Sequence, residues 1–145
     1  MTRVKLYGTG CPANLGGNAH SRAKRGKRSD LGNIFFRSRW EANYARYLNF
    51  LKARGEIKSW DFEPKTFVFH GVTRGQLTYT PDFLVTESDG SHIWHEVKGW
   101  MTPESKAKLK RMAAHYPDER LIVIGPKEYR AIAQYARLFD GWESE

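Results

Sequence analysis

Tyr79-Thr80-Pro81-Asp82-Phe83-Leu84-Val85-Thr86-Glu87-Ser88-Asp89-Gly90-Ser91-His92-Ile93-Trp94-His95-Glu96-Val97-Lys98-Gly99 is the stretch that decides the reading of this chain. Strand-like residues run from Gln76 to Thr86 and return from His92 to Lys98. Ser88-Asp89-Gly90 between them supplies turn chemistry, so an antiparallel hairpin is expected. A three-residue turn with Gly90 in the left-handed conformation pairs Glu87 with Ser91 and, counting inward, Asp82 with Glu96. Side chains alternate along a strand, so Lys98 then shares the face of Glu96 while Val97 points into the core. A two-residue Asp89-Gly90 turn would oppose Asp82 to Val97 and send the two acids to opposite faces.

Two carboxylates this close repel one another unless one holds a proton or a divalent cation lies between them. An all-oxygen pair suits a hard cation such as Mg2+, which keeps several waters when one or two carboxylates bind it. Such a water is a ready nucleophile, and the Lys98 ammonium can orient it or offset charge developing on a phosphate. A Glu-x-Lys pair standing alone is usually a solvated strand edge. Here a Pro-Asp, a turn of fitting length and the Glu-x-Lys on the returning strand occur together, which favours a site.

Phe36-Arg37-Ser38, Glu41, Tyr79-Thr80-Pro81-Asp82-Phe83-Leu84 and Glu96-Val97-Lys98-Gly99 together resemble the PD-(D/E)XK nuclease superfamily. Within it the chain is most similar to the phage endonuclease I type of Holliday junction resolvases and related small phage nucleases. The similarity follows element order over roughly residues 34 to 125, and its motifs are specific as an ensemble. It implies a restriction-endonuclease-like α/β fold, an αβββαβ core with a mixed central sheet flanked by helices. It also implies a Mg2+-dependent DNA endonuclease in which Mn2+ substitutes, with Asp82, Glu96 and the Val97 carbonyl on the metal, Glu41 completing the acidic cluster and Lys98 beside it. The implied substrate is branched DNA, such as a four-way junction, cut by a homodimer whose twofold axis matches the junction's. A general or transposase-like phage nuclease without junction specificity is the alternative, followed by a non-catalytic DNA-binding module.

Glu41 has two readings from its residues. A helix is expected from about Arg39 to Arg54, ended by Gly55, with Trp40, Tyr44, Tyr47, Leu48 and Leu51 as its apolar stripe. Glu41 lies about 75° from the centre of that stripe, at the border of the buried face. Yet Ser38-Arg39-Trp40-Glu41 also fits a capping box, in which Glu41 holds only the helix end. The resemblance favours the site role, because members of the superfamily carry an acid on this helix.

With 145 residues, 40% hydrophobic and 14% aromatic, the chain has room for a single core. No stretch is long and apolar enough to span a bilayer, and no apolar leader opens the sequence. A cytoplasmic protein, phage-encoded in a bacterial host, is expected. Lone Cys11 excludes an internal disulfide and a cysteine-based zinc site. His92 and His95, three apart on a strand, face opposite ways and share no metal.

The net charge of +8 is uneven, with +6 of it in residues 1–33. That segment is rich in Gly, Asn and Ser and reads as a flexible basic arm preceding a single nuclease domain at 34–145. Arg22, Lys24, Arg25, Lys27 and Arg28 are its candidate phosphate contacts, joined by Arg37 and Arg39 at the helix start. A solubilising tail is the bland equivalent. The long arm, and the acidic ending Gly141-Trp142-Glu143-Ser144-Glu145, depart from the resolvase pattern.

The remaining elements follow simple signals. Short strands at Ile57 to Phe62 and Thr66 to His70 are broken by Glu63-Pro64, where Glu63 is either a further ligand or, as Pro64 favours, a turn residue, and Val72 to Gln76 is an exposed loop. Thr102-Pro103 starts a helix that buries Leu109, Met112, Ala113 and Tyr116, with Lys106 and Lys110 as further phosphate candidates. Leu121 to Ile124 suits a central strand. Pro126 opens a last helix with Tyr129, Ile132, Ala133, Ala136 and Phe139 facing inward.

Overall fold

The computed structural model describes residues 24–145. Its centre is a four-stranded mixed sheet in the order β3 (Ile57–Phe62), β6 (Phe83–Glu87), β7 (His92–Val97) and β8 (Leu121–Ile124). The β3–β6 and β6–β7 pairs are antiparallel, whereas β7 and β8 run parallel. A parallel neighbour requires a crossover, supplied by α2 (Pro103–His115). With α1 (Arg39–Ala53) before the sheet, the core reads αβββαβ, and α3 (Pro126–Ala133) follows it.

Helix α1 forms because Ser38 is extended and its side chain accepts from the Glu41 N–H at 3.1 Å, closing the first turn. It ends at Gly55, whose φ of +73° is the left-handed conformation a helix stop requires. The expected stripe of Trp40, Tyr44, Tyr47, Leu48 and Leu51 is buried, packed with Ile57, Phe83, Val85, Val97 and Ile124 from the sheet and Tyr129 and Ile132 from α3. A second cluster of Phe67, Phe69, Tyr79, Trp94 and Met112 lies beneath α2. Helix α2 is capped by Thr102, whose hydroxyl accepts from the Ser105 N–H, with Pro103 in its first turn.

The hairpin register is the one that a three-residue turn dictates. Phe83 faces His95 and Leu84 faces Trp94, while Glu87 N–H donates to Ser91 at 2.8 Å and Gly90 adopts φ +88°. One step further, Asp82 stands opposite Glu96, on the face of Leu84 and Trp94. Pro81, opposite Val97, has no N–H for the ladder, and there the Val97 N–H goes to the Asp82 carboxylate.

Several expectations need correction. The continuous strand from Gln76 to Thr86 is two, because Pro81 interrupts it: β5 (Thr78–Tyr79) pairs with β4 (Phe67–Val68) in a small separate sheet. Leu121 to Ile124 is an edge strand rather than a central one, since nothing among the described residues pairs with its outer side. Ala113 is exposed, and the last helix stops at Ala133, with a single 3-10 turn at Ala136–Leu138 bringing Phe139 into the core.

The boundary at residue 33 also moves. Residues 1–23 of the expected arm lie outside the described residues, but β1 (Gly26–Arg28) and β2 (Ile34–Phe36) form a hairpin. Leu31 between them is buried in the main core. Gly32 and Asn33, at φ +71° and +59°, make the return, a turn signal hidden by the density of charge around it. The hairpin is fastened by Arg46 of α1, which donates to both Asp30 oxygens at 2.9 and 3.0 Å and to Glu143 at 2.7 Å.

Candidate functional site

Three side chains converge at the open end of the β6–β7 hairpin. Asp82 precedes β6, Glu96 lies in β7 and Lys98 follows it. The Asp82 N–H donates to one Glu96 oxygen at 3.1 Å, and Lys98 Nζ lies 3.1 Å from the other. The Val97 N–H holds an Asp82 oxygen at 2.8 Å. Each acid is therefore oriented by backbone and keeps further lone pairs for a ligand.

The electrostatics are those of a buried acidic cluster. Burial pushes the Asp82 carboxyl well above the usual range, and the charges of Glu96 and Glu41 push it further. Burial also raises Glu41, opposed by the Arg37 N–H that its carboxylate accepts at 3.0 Å. Burial alone would lower Lys98, but Glu96 and Asp82 more than offset it and hold the ammonium charged. The Tyr79 hydroxyl is fully buried near Glu96. Burial and the Glu96 charge push it far above the ordinary phenol range.

Glu41 makes one half of the expected capping box and lies close enough to the acidic pair to act on it electrostatically. Its amide is capped by Ser38, and its carboxylate reaches back to the Arg37 N–H, one residue before the cap, while its charge acts on Asp82 and Lys98. Arg37 belongs to the same cluster: its guanidinium pairs with Glu63 and lies 3.7 Å from Asp82. Glu63, read from sequence as a turn residue, is at once that turn and a member of the cluster. Its N–H donates to the Asp82 carbonyl at 2.7 Å, and its φ of +48° is unusual for a side chain of this size. The adjoining Pro64 favoured the turn over a ligand reading, and no periodicity separates the two.

Mutually repelling buried carboxylates with only oxygen to offer are the donor chemistry of a hard divalent cation, so Asp82 and Glu96 fit Mg2+. Among the described residues no group of three His, Cys, Asp or Glu side chains stands ready as a cation cage. Two carboxylates, Asp82 and Glu96, would hold such an ion, which keeps several waters when so bound. His92 and His95 point to opposite faces as expected, and His95 is buried with its Nδ1 2.5 Å from the Tyr44 hydroxyl.

The proposed phosphate contacts scatter. Arg22 lies outside the described residues. Arg25 and Lys27 are exposed, and so is Lys24, 3.6 Å from Glu143. Arg28 and Arg39 are engaged with the chain's last residues: Arg28 donates to Glu143 at 2.7 Å, and Arg39 donates to the Ser144 carbonyl at 3.0 Å. With side chains 11% and 13% exposed, both serve the fold rather than an open surface. Lys106 and Lys110 are exposed on α2, whereas Lys108 lies over the Tyr79 ring.

The chain belongs to the DUF1064 family, described as proteins of unknown function, whose model matches residues 22–131 and so includes every member of this cluster. No curated protein and no solved structure matches the chain significantly. Among the described residues no helix is long and apolar enough to cross a membrane.

Proposed function

We propose that the protein is a Mg2+-dependent DNA endonuclease with a restriction-endonuclease-like fold, and that branched DNA is its substrate. The observation that carries the reading is the convergence of Asp82, Glu96 and Lys98 on one face, produced by the three-residue turn. The αβββαβ order and mixed sheet agree with that class of fold.

When bound, the cation supplies Lewis acidity toward a phosphate oxygen and lowers the pKa of a coordinated water. Asp82 and Glu96 would hold it, with the Val97 carbonyl as the resemblance implies. Their orientation is fixed in advance by the Val97 and Asp82 amides, so no reorganisation is needed as the reaction proceeds. Glu41 adds negative charge that favours cation binding and raises the proton affinity of Asp82. Lys98, kept charged beside Glu96, orients the attacking water or offsets the charge that builds on the phosphate.

DNA would approach across exposed cations, with Lys106 and Lys110 of α2 and Lys24, Arg25 and Lys27 of the N-terminal segment as backbone contacts. Junction preference and a homodimer rest on similarity to phage resolvases. The test compares an immobile four-way junction with its separate linear arms in Mg2+. Preferential cutting of the junction, symmetric about its centre, supports the resolvase reading. Equal cutting of both leaves a general nuclease, and tight binding without cutting leaves a DNA-binding module.

A further inference from the structure

Arg37 and Glu63 stand at the rim of the acidic cluster in a more organised arrangement than an ordinary surface ion pair. Exposed pairs contribute little to stability and their side chains are generally loosely held. Arg37 is held at both ends. Its N–H is accepted by Glu41 at 3.0 Å, and its guanidinium pairs with Glu63 and reaches to 3.7 Å from Asp82. Glu63 in turn is tied by its own N–H to the Asp82 carbonyl at 2.7 Å. It does so at φ +48°, a conformation that costs energy for a non-glycine residue and persists only where its surroundings enforce it. The Arg37 side chain nevertheless remains half exposed, so part of its donor fork faces outward.

We propose that Arg37 is a catalytic residue that grips the scissile phosphate of DNA, and that Glu63 is the positioning residue that sets its guanidinium beside Asp82. The proposal rests on the nuclease reading above. A phosphate oxygen brought to a cation on Asp82 and Glu96 arrives next to this guanidinium, whose planar fork matches two oxygens of one phosphate. The negative charge on those oxygens grows as water attacks phosphorus and the leaving oxygen departs, so the contact strengthens in the transition state. Arg37 neither gives up nor accepts a proton in this role. Glu63 prevents the guanidinium from collapsing onto Asp82 and blocking it.

Single-turnover cleavage of the four-way junction and its linear arms would be measured for the wild type, Arg37→Gln, Arg37→Lys, Glu63→Gln and Asp82→Asn. DNA affinity would be measured in parallel with Ca2+ in place of Mg2+, and folding by thermal melting. The expected result is a fall of about 100-fold in rate for Arg37→Gln with affinity nearly unchanged. Arg37→Lys, retaining charge but not the fork, should recover only part of that loss. Glu63→Gln, which leaves Arg37 in place but unaimed, should lower the rate by about 10-fold at unchanged affinity. An unchanged rate with weakened affinity in Arg37→Gln would overturn the proposal and leave Arg37 an ordinary backbone contact. Full recovery by Arg37→Lys would overturn it in favour of simple charge balance. Cutting by the wild type but not by Asp82→Asn upholds the nuclease reading whichever way the Arg37 variants fall. If the wild type cuts neither DNA, that reading fails and the phosphate grip fails with it.

Discussion

The Asp82 N–H donates to a Glu96 carboxylate oxygen at 3.1 Å, so the backbone of one acid aims the side chain of the other. The two acids come from different strands, and the link between them exists only in the register set by Ser88-Asp89-Gly90. The pair is a product of the turn as much as of the two carboxylates.

Shortening β6 by one residue ahead of that turn should therefore disable the site while sparing the sheet. Deleting Glu87 while keeping Ser88-Asp89-Gly90 brings Thr86 opposite Ser91 and Asp82 opposite His95, a shift of one that sends the two acids to opposite faces. The variant is expected to lose cleavage if it retains a folded sheet by circular dichroism. Gly90→Ala keeps the register but places a side chain at φ +88°, costing about 1 kcal/mol in urea denaturation with activity retained.

Glu41 combines two roles that mutation can separate. Ser38→Ala removes the cap on the Glu41 N–H and should cost about 1 kcal/mol of stability with little effect on rate. Glu41→Gln keeps the shape of the side chain and removes its charge from the cluster. Its cleavage rate should fall by about 10-fold or more at a given Mg2+ concentration, partly restored at higher concentration.

The turn of the β1–β2 hairpin and the C-terminal segment are joined through Arg46, and this clasp should respond to acid. Hydrogen bonding to Arg46 lowers the Asp30 carboxyl below its usual range, and burial of Glu143 is outweighed by its bonds to Arg28 and Arg46, lowering it too. A carboxyl lowered in the fold stabilises it above the unfolded value and loses that contribution as pH falls through the folded value. Stability should hold from neutrality to about pH 4.5 and drop below it. Glu143→Gln should cost about 2 kcal/mol at pH 7 and flatten that acid limb, read by thermal melting across pH. An unchanged acid limb would show that the clasp contributes nothing.

The fold was largely legible because its decisive elements are local. Ser38 and Gly55 bracket α1, Thr102-Pro103 opens α2, and Gly90 sets the hairpin, each a short-range preference that tertiary packing did not override. What escaped the sequence was long-range. Pairing of β5 with β4 depends on residues brought together across an exposed loop, and the edge position of β8 depends on what does not pair with it. The β1–β2 hairpin was hidden because its lysines and arginines read as a charged arm, while its inward side is marked by Leu31 and by Phe36 beyond the expected boundary. In the site, Asp82, Glu96 and Lys98 could be placed by strand parity, and Glu41 by helix angle. Arg37 entered as a phosphate contact and Glu63 as a turn residue or further ligand, since their meeting with Asp82 is a feature of the folded chain.

The most direct test of the central claim is single-turnover DNA cleavage as a function of Mg2+ concentration, for the wild type and for Asp82→Asn, Glu96→Gln and Lys98→Ala. The account predicts cutting that rises with Mg2+, stops with EDTA and falls by about 100-fold or more in each variant while all remain folded. Cutting that persists in EDTA, or that survives loss of Asp82 and Lys98, would contradict it.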